Sequence, residues 1–373
     1  MPAALASIVD ERDAVRKPAP SDQLRASVAR RRSTRSGSRC AAGGGGRSRA
    51  AGRAGNQNRN EQGEDGDAKR SIHALHDAEY ATRRASVLPR ATGDDESVRT
   101  DGYELMDAGD GRRLERFGSR IVDRPAPSAA DEPRRAPRDA WAAATLRFDR
   151  DTGWTDPEAQ PWTIGVDTLT LELRPTAAGQ LGFFPEHTLA WPWLRERVAS
   201  AAPPVPDVLH LFAYTGATTL ALAAAGARMT HVDSSRPAVA WARRNAALSG
   251  LAEHPIRWIV DDALAFVRRE ARRGRRYAGL VLDPPTFGHG PSGARWELDE
   301  ALPDLLAACA AVAERDAFVL LTAHATALAP GDLASALEIA FGIPAELESE
   351  EVALDATSGA VLPLGVAARM IRR

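Results

Sequence analysis

Leu209-His210-Leu211-Phe212-Ala213-Tyr214-Thr215-Gly216 is the stretch that decides how this chain folds. An apolar run enters a turn that ends on glycine, and Ala217-Thr218-Thr219-Leu220-Ala221-Leu222 continues with helix-forming spacing. Strand, tight turn and helix in that order make the first half of a strand–helix–strand unit. Gly216 allows a sharp turn and a close approach of backbone to a ligand. The helix that follows offers its unpaired first-turn N–H groups to that ligand.

The same alternation continues to both sides. Short apolar segments at Val208–Ala213, Met229–Asp233, Arg257–Val260, Gly279–Asp283 and Ala317–Thr322 read as strands. Helical periodicity falls near 217–226, 235–249, 261–273, 298–314 and 331–341, with a further helix from Trp191 to Ala201 ahead of the break Pro203-Pro204-Val205-Pro206. This pattern predicts a mostly parallel sheet covered by helices on both faces, in which strands are apolar throughout because neither face meets water.

In such sheets ligands bind at the carboxyl ends of the strands. Those ends read Phe212-Ala213-Tyr214-Thr215-Gly216, then Asp233-Ser234, then Asp261-Asp262-Ala263, then Asp283-Pro284-Pro285-Thr286-Phe287. A carboxylate after the second strand accepts hydrogen bonds from a ribose diol, and one after the third suits an adenine amine. Each signal alone is weak, since an Asp at a strand end is as commonly a helix N-cap. Their order is more specific. A dinucleotide would require G-x-G-x-x-G, yet no glycine follows Gly216 until Gly226, so a pyrophosphate lacks its close-approach positions. A nucleoside without pyrophosphate, such as S-adenosylmethionine, fits better.

Residues from about 103 to 373 resemble the class I S-adenosylmethionine-dependent methyltransferases related to bacterial large-subunit ribosomal RNA methyltransferases. The resemblance lies in 209–216, Val232-Asp233-Ser234-Ser235, Asn245-Ala246-Ala247-Leu248-Ser249-Gly250-Leu251, Asp262-Ala263-Leu264 and Leu282-Asp283-Pro284-Pro285-Thr286-Phe287-Gly288. It implies a Rossmann-like domain with a seven-stranded, mostly parallel sheet, preceded by a small β-rich domain. It implies that Phe212, Ala213, Tyr214, Thr215 and Gly216 hold the methionine part of the cofactor. Asp233 with Ser234 would take the ribose, and Asp262 with Ala263 the adenine. Asp283, Pro284 and Pro285 would face the methyl-accepting group, with Phe287 either stacking on a flat base or packing on a helix. The segment Gly182-Phe183-Phe184-Pro185-Glu186-His187 matches one that lies by the cofactor in this group, where Gln commonly stands in place of His187.

Carbon-5 methylation of cytosine requires a cysteine nucleophile. Relatives that perform it carry that Cys after the fifth strand, where this chain reads Leu321-Thr322-Ala323-His324. Cys309 lies in an apolar helix and reads as core; Cys40 lies in the N-terminal tail. The expected reaction is therefore transfer to a nucleobase nitrogen without a covalent intermediate. His324 reads either as an acceptor-binding group or as a strand-end polar residue, and His289 as part of a flap or an exposed loop. The histidines show no metal-ligand spacing, so no metal is expected.

The whole chain of 373 residues has a formal net charge of −2. Residues 1–60 hold 13 Lys and Arg against 4 Asp and Glu, whereas residues 101–373 hold 29 against 37. Residues 1–100, rich in Arg, Ser and Gly, are expected to be a disordered or artefactual extension. Residues 101–187, with Trp141, Phe148, Trp154 and Trp162 at intervals, are expected to form the β-rich domain. A strand at Tyr103–Asp107, a returning strand over 114–122 and an alternating strand over Val166–Leu173 belong to it. Residues 188–373 are expected to be the catalytic domain. Two cysteines cannot build a disulfide framework, no apolar run is long enough for a membrane helix, and Asp10, Glu11 and Asp13 exclude a secretory signal. A cytoplasmic protein is the expectation.

Ribosomal RNA as substrate rests on the resemblance, because the acidic body argues against a broad phosphate footprint. Arg268, Arg269, Arg272, Arg273, Arg275 and Arg276 form one basic patch, whose ordinary reading is a solvated face. A same-fold methyltransferase acting on a small molecule or protein, a nicotinamide oxidoreductase and a non-catalytic nucleoside- or RNA-binding protein are the alternatives.

Overall fold

The computed structural model describes residues 102–201, 205–289, 295–324 and 328–372. The expectations for residues 1–100, for Cys40 and for the loop after His289 lie outside the described residues, as does the His289 side chain.

Three strands open the described chain: β1 (Tyr103–Gly109), β2 (Arg112–Phe117) and β3 (Arg120–Pro125), an antiparallel meander. The single returning strand expected over 114–122 is two strands, because Gly118 adopts φ 62° and reverses the chain between them. A short helix α1 (Arg138–Ala142) leads to β4 (Leu146–Asp149), parallel to β3, and to β5 (Gly153–Trp154). The strand expected over 166–173 is also a hairpin, β6 (Trp162–Val166) and β7 (Leu169–Leu173), with Asp167 at φ 54° in its turn. Alternation of apolar residues carried no mark of that reversal.

At the centre of this region lies a compensated buried charge. Arg124 and Glu115 are both fully buried, and the guanidinium gives Glu115 two hydrogen bonds, at 2.5 and 3.0 Å. The Tyr103 hydroxyl donates to the same carboxylate. Burial alone would raise the Glu115 pKa, but the Arg113 and Arg124 charges beside it hold it below the usual range. Arg124 also donates to the Gln180 side chain at 3.2 Å, which ties this sheet to the segment that runs into the candidate site.

After α2 (Trp191–Ser200) the main sheet is built from β8 (Asp207–Leu211), β9 (Arg228–Asp233), β10 (Ile256–Val260), β11 (Tyr277–Leu282), β14 (Ala313–Ala323), β15 (Glu346–Asp355) and β16 (Val361–Ile371). Its order is β10-β9-β8-β11-β14-β16-β15. The first five strands are parallel; β16 runs antiparallel to both its neighbours, β14 and β15, so β15 points the same way as the first five. A small hairpin, β12 (Phe287–His289) with β13 (Arg295–Glu297), stands beside it. The crossover helices are α3 (Ala217–Ala224), α4 (Arg236–Leu248), α5 (Ala263–Arg272), α6 (Leu298–Val312) and α7 (Pro330–Phe341).

This is the α/β fold expected from the sequence, a seven-stranded sheet in which six strands run the same way and β16 alone runs against them. Neither β15 nor β16 was placed in advance: β15 is an edge strand carrying Glu346, Glu348, Glu350 and Glu351 and so lacks an apolar run, and Pro363 and Gly365 break the apolar pattern of β16.

Both faces of the sheet are covered. Leu209 and Leu211 pack with Leu305 and Leu337 on one side, and Val208 packs with Leu220, Phe318 and Leu320 on the other. The second cluster also takes in Phe117, Ile164 and Leu171, so the N-terminal strands and the main sheet share one core. Strand order reverses between β8 and β11, which opens a crevice at their carboxyl ends. Among the described residues no helix is long and apolar enough to cross a membrane.

Candidate functional site

β8 ends at Leu211, two residues earlier than the sequence predicts, because the chain turns at once into left-handed backbone. Phe212 has φ 56°, Tyr214 φ 48° and Gly216 φ 85°. A residue with a Cβ pays about 1 kcal/mol or more for that region, so two of them in one short loop must be held there by their neighbours.

The holding contacts are specific. Ala213 N–H donates to the Val232 carbonyl at 3.1 Å, and Tyr214 N–H to Asp233 Oδ2 at 2.8 Å. The Thr215 hydroxyl donates to the Gly182 carbonyl, and the Asn245 amide to the Thr215 carbonyl at 3.0 Å. Gly182 itself has φ 98°, and a Cβ there would lie 2.3 Å from the Trp241 ring. Strained backbone held by its surroundings is a feature of binding and catalytic loops.

Asn245 is fully buried, and its Oδ1 also accepts the Glu172 N–H at 2.9 Å. Asn245→Ala would leave a buried donor and a buried acceptor unpaired. It is expected to cost about 2 kcal/mol in urea unfolding, and a loss under 0.5 kcal/mol would contradict the role given to this side chain.

Asp233 stands at the end of β9. Besides Tyr214, its carboxylate accepts the Ser235 N–H at 2.8 Å. Burial raises its pKa, and the two N–H bonds only partly offset that. Ser234 beside it is exposed. Asp262 begins α5 as an N-cap, accepting the Ala265 N–H at 2.8 Å, and Ala263 is buried. The capping role is therefore present, whatever ligand the second oxygen takes. Asp262→Ala is expected to lower stability by about 1 kcal/mol through the lost cap, read as a shift in the urea midpoint. If stability is unchanged, the cap is not worth its usual value here.

Asp283 follows β11, with Pro284 buried and Pro285 exposed. Its surroundings were not legible as a unit in the sequence. Oδ1 accepts the Thr322 hydroxyl and lies 3.0 Å from His324 Nε2; Oδ2 lies 3.2 Å from His187 Nε2. The two imidazole Nε2 atoms are 3.5 Å apart. His324 Nδ1 lies 2.8 Å from the Leu364 carbonyl.

Burial works against charge on both Asp283 and His324, but their mutual attraction wins. The Asp283 carboxyl is held well below its usual range by His187 and His324, and His324 is pushed up to about 10 by the Asp283 carboxylate and its hydrogen bond. The Phe184 ring touches His187, His324 and Tyr214, with centroids 5.6, 6.5 and 5.4 Å away, which joins the Asp283 group to the 212–216 loop.

Phe287 is 70% exposed and does not pack on a helix. It stands on the β12–β13 hairpin, whose Trp296 donates to the Pro285 carbonyl at 2.6 Å and packs against Phe212 with the rings tilted and their centroids 5.2 Å apart. The hairpin thus fixes the Asp283-Pro284-Pro285 turn against the 212–216 loop.

Other candidates lie elsewhere. Cys309 is fully buried in α6, and burial pushes its thiol pKa up, away from the reactive thiolate. His210 and His231 are buried on either side of the Thr219 hydroxyl, and burial holds His210 down to about 3. In the arginine patch, Arg268 pairs with Asp304, Arg269 with Asp261, and Arg273 and Arg275 with the buried Glu270.

No protein-family model matches the chain. A crystal structure of an S-adenosylmethionine-dependent methyltransferase from Agrobacterium tumefaciens is 34% identical, with TM-score 0.69 over 73% of this chain and 91% of that one. SMU.776, solved in complex with S-adenosylhomocysteine, shares the fold at 14% identity, with TM-score 0.57 over 82% of this chain and 80% of that one. A curated relative, ribosomal RNA large subunit methyltransferase K/L of Methylococcus capsulatus, is 44% identical over 82 residues. Those residues make up 22% of this chain and only 11% of the length of that relative.

Proposed function

The chain belongs to the S-adenosylmethionine-dependent methyltransferases, and we propose that it methylates a nucleobase nitrogen of ribosomal RNA without a covalent cysteine intermediate. The catalytic unit in this reading is residues 188–373, preceded by the β-rich unit 101–187. The bound cofactor supplies an activated methyl group on a sulfonium.

The observation that carries the reading is the placement of Asp283. Its carboxylate lies at the mouth of the crevice, on a turn braced by Trp296 and joined through Phe184 to the strained 212–216 loop. Phe212, Ala213, Tyr214, Thr215 and Gly216 would hold the amino-acid part of the cofactor, with the first turn of α3 free to donate. Asp233, already oriented by two backbone N–H groups, fits a ribose diol, with Ser234 exposed beside it. Asp262 and Ala263 would border the adenine. Asp283 would accept a hydrogen bond from the acceptor amine, orient its lone pair and stabilise the charge that develops on it. Pro284 and Pro285 keep that turn rigid, and exposed Phe287 offers a face for a stacked base.

Ribosomal RNA as acceptor is supported by the curated relative's name over the matched segment. The pairing of four arginines of the patch, Arg268, Arg269, Arg273 and Arg275, with carboxylates of the same chain favours a second reading, a small-molecule acceptor.

The deciding experiment is transfer of tritiated methyl groups into deproteinised ribosomal RNA from a strain lacking the gene. Label in the RNA is expected; none would leave the small-molecule reading. In the same assay, RNA substituted with fluorocytosine is expected to form no denaturation-resistant adduct, since the end of β14 carries Thr322 and His324 and Cys309 is buried. An adduct would refute the non-covalent route.

A further inference from the structure

We propose that His187, Asp283 and His324 form a binding site for a divalent first-row transition-metal cation of the zinc type. The three donors come from three separate segments: the turn before α2, the end of β11 and the end of β14. Their ligand atoms all lie within 4.8 Å of one another. His324 Nε2 lies 3.0 Å from Asp283 Oδ1, His187 Nε2 lies 3.2 Å from Asp283 Oδ2, and the two Nε2 atoms are 3.5 Å apart, so each imidazole faces a different oxygen of the one carboxylate.

Zinc-type cations hold imidazole nitrogen and carboxylate oxygen at about 2.0–2.2 Å. From those bond lengths, neighbouring ligands stand roughly 3.0 Å apart at a right angle and roughly 3.4 Å apart at a tetrahedral angle. The separations of the two imidazole nitrogens from each other and from the carboxylate oxygens facing them fall in that range.

The outer contacts fit the same reading. Metal-ligating histidines present one ring nitrogen and donate from the other to a carbonyl or carboxylate. His324 has the Leu364 carbonyl 2.8 Å from Nδ1, which leaves Nε2 to coordinate. The Thr322 hydroxyl orients the Asp283 carboxylate from the neighbouring strand. Two imidazoles with one carboxylate select zinc, cobalt, manganese or iron over magnesium and calcium, which prefer all-oxygen sites.

Three protein ligands leave positions for water or for an oxygen or nitrogen of the acceptor, as catalytic sites of this kind do. All three side chains remain partly exposed, at 19%, 17% and 32%, so such a ligand has access. Sequence spacing gave no sign of the group, since His187 and His324 stand 137 residues apart. The inference does not depend on whether the acceptor is RNA.

The test is calorimetric titration of the full chain, stripped with chelator and dialysed, with zinc chloride and separately with cobalt chloride. One cation is expected to bind per chain with micromolar or tighter affinity, and cobalt is expected to give a visible band of nitrogen ligation. His187→Ala and His324→Ala are each expected to weaken binding by at least about 10- to 100-fold. His254→Ala, at an exposed histidine away from the group, is expected to bind as wild type. Thermal unfolding of each variant without metal shows that it is folded. No binding by the wild type at 100 µM cation, or equal binding by wild type and both folded site variants, would overturn the proposal.

Discussion

Asp283→Asn is expected to slow methyl transfer about 10²- to 10³-fold, the usual cost of removing one preorganised electrostatic group, while S-adenosylhomocysteine binds within about threefold of wild type. The substitution keeps the shape of the side chain and an oxygen for the Thr322 hydroxyl. It removes the charge that both imidazoles face. Because β11 and its turn are held by strand pairing and by Trp296 rather than by this carboxylate, the fold should persist. Single-turnover transfer and calorimetry on the same preparation separate the two quantities. Equal loss in both would mean that Asp283 binds the cofactor and does not serve the acceptor.

The opposite division is expected at Asp233. Asp233→Ala should weaken S-adenosylhomocysteine by about 100-fold or more. Two hydrogen bonds from ribose hydroxyls to a charged acceptor are worth about 1.5–3 kcal/mol each, and Tyr214 N–H loses the partner that keeps its left-handed turn in place. At saturating cofactor the transfer rate should recover to within about tenfold. An affinity unchanged within threefold would show that the ribose lies elsewhere, and would count against the whole assignment of the strand ends.

These two carboxylates were legible in the sequence because each sits where a short apolar strand stops, and the signal is local. The same reasoning found the strands β8 to β11 and β14 and the helices between them. What it missed depends mostly on distance or on short reversals inside a continuing pattern. Phe212 and Tyr214 adopt left-handed backbone only because Val232, Asp233 and Asn245 hold the loop from other elements. The reversal at Asp167 hides inside an alternating apolar pattern that continues through it. β15 escapes because an acidic edge strand carries no apolar run, and β16 because Pro363 and Gly365 interrupt its apolar pattern.

His187, Thr322 and His324 were separate residues until the fold brought them to one carboxylate. Only their shared place at the ligand-bearing edge of the sheet hinted at it. Asp262 shows the reverse: the ordinary reading of a strand-end Asp, a helix cap, is realised in the structure.

Mapping the methyl groups of ribosomal RNA, with and without this gene, tests the central claim most directly. Loss of one nucleobase N-methyl group on deletion, restored by the wild-type chain and not by Asp283→Asn, is the result expected. A ribosomal RNA methylation pattern identical in the two strains would contradict it.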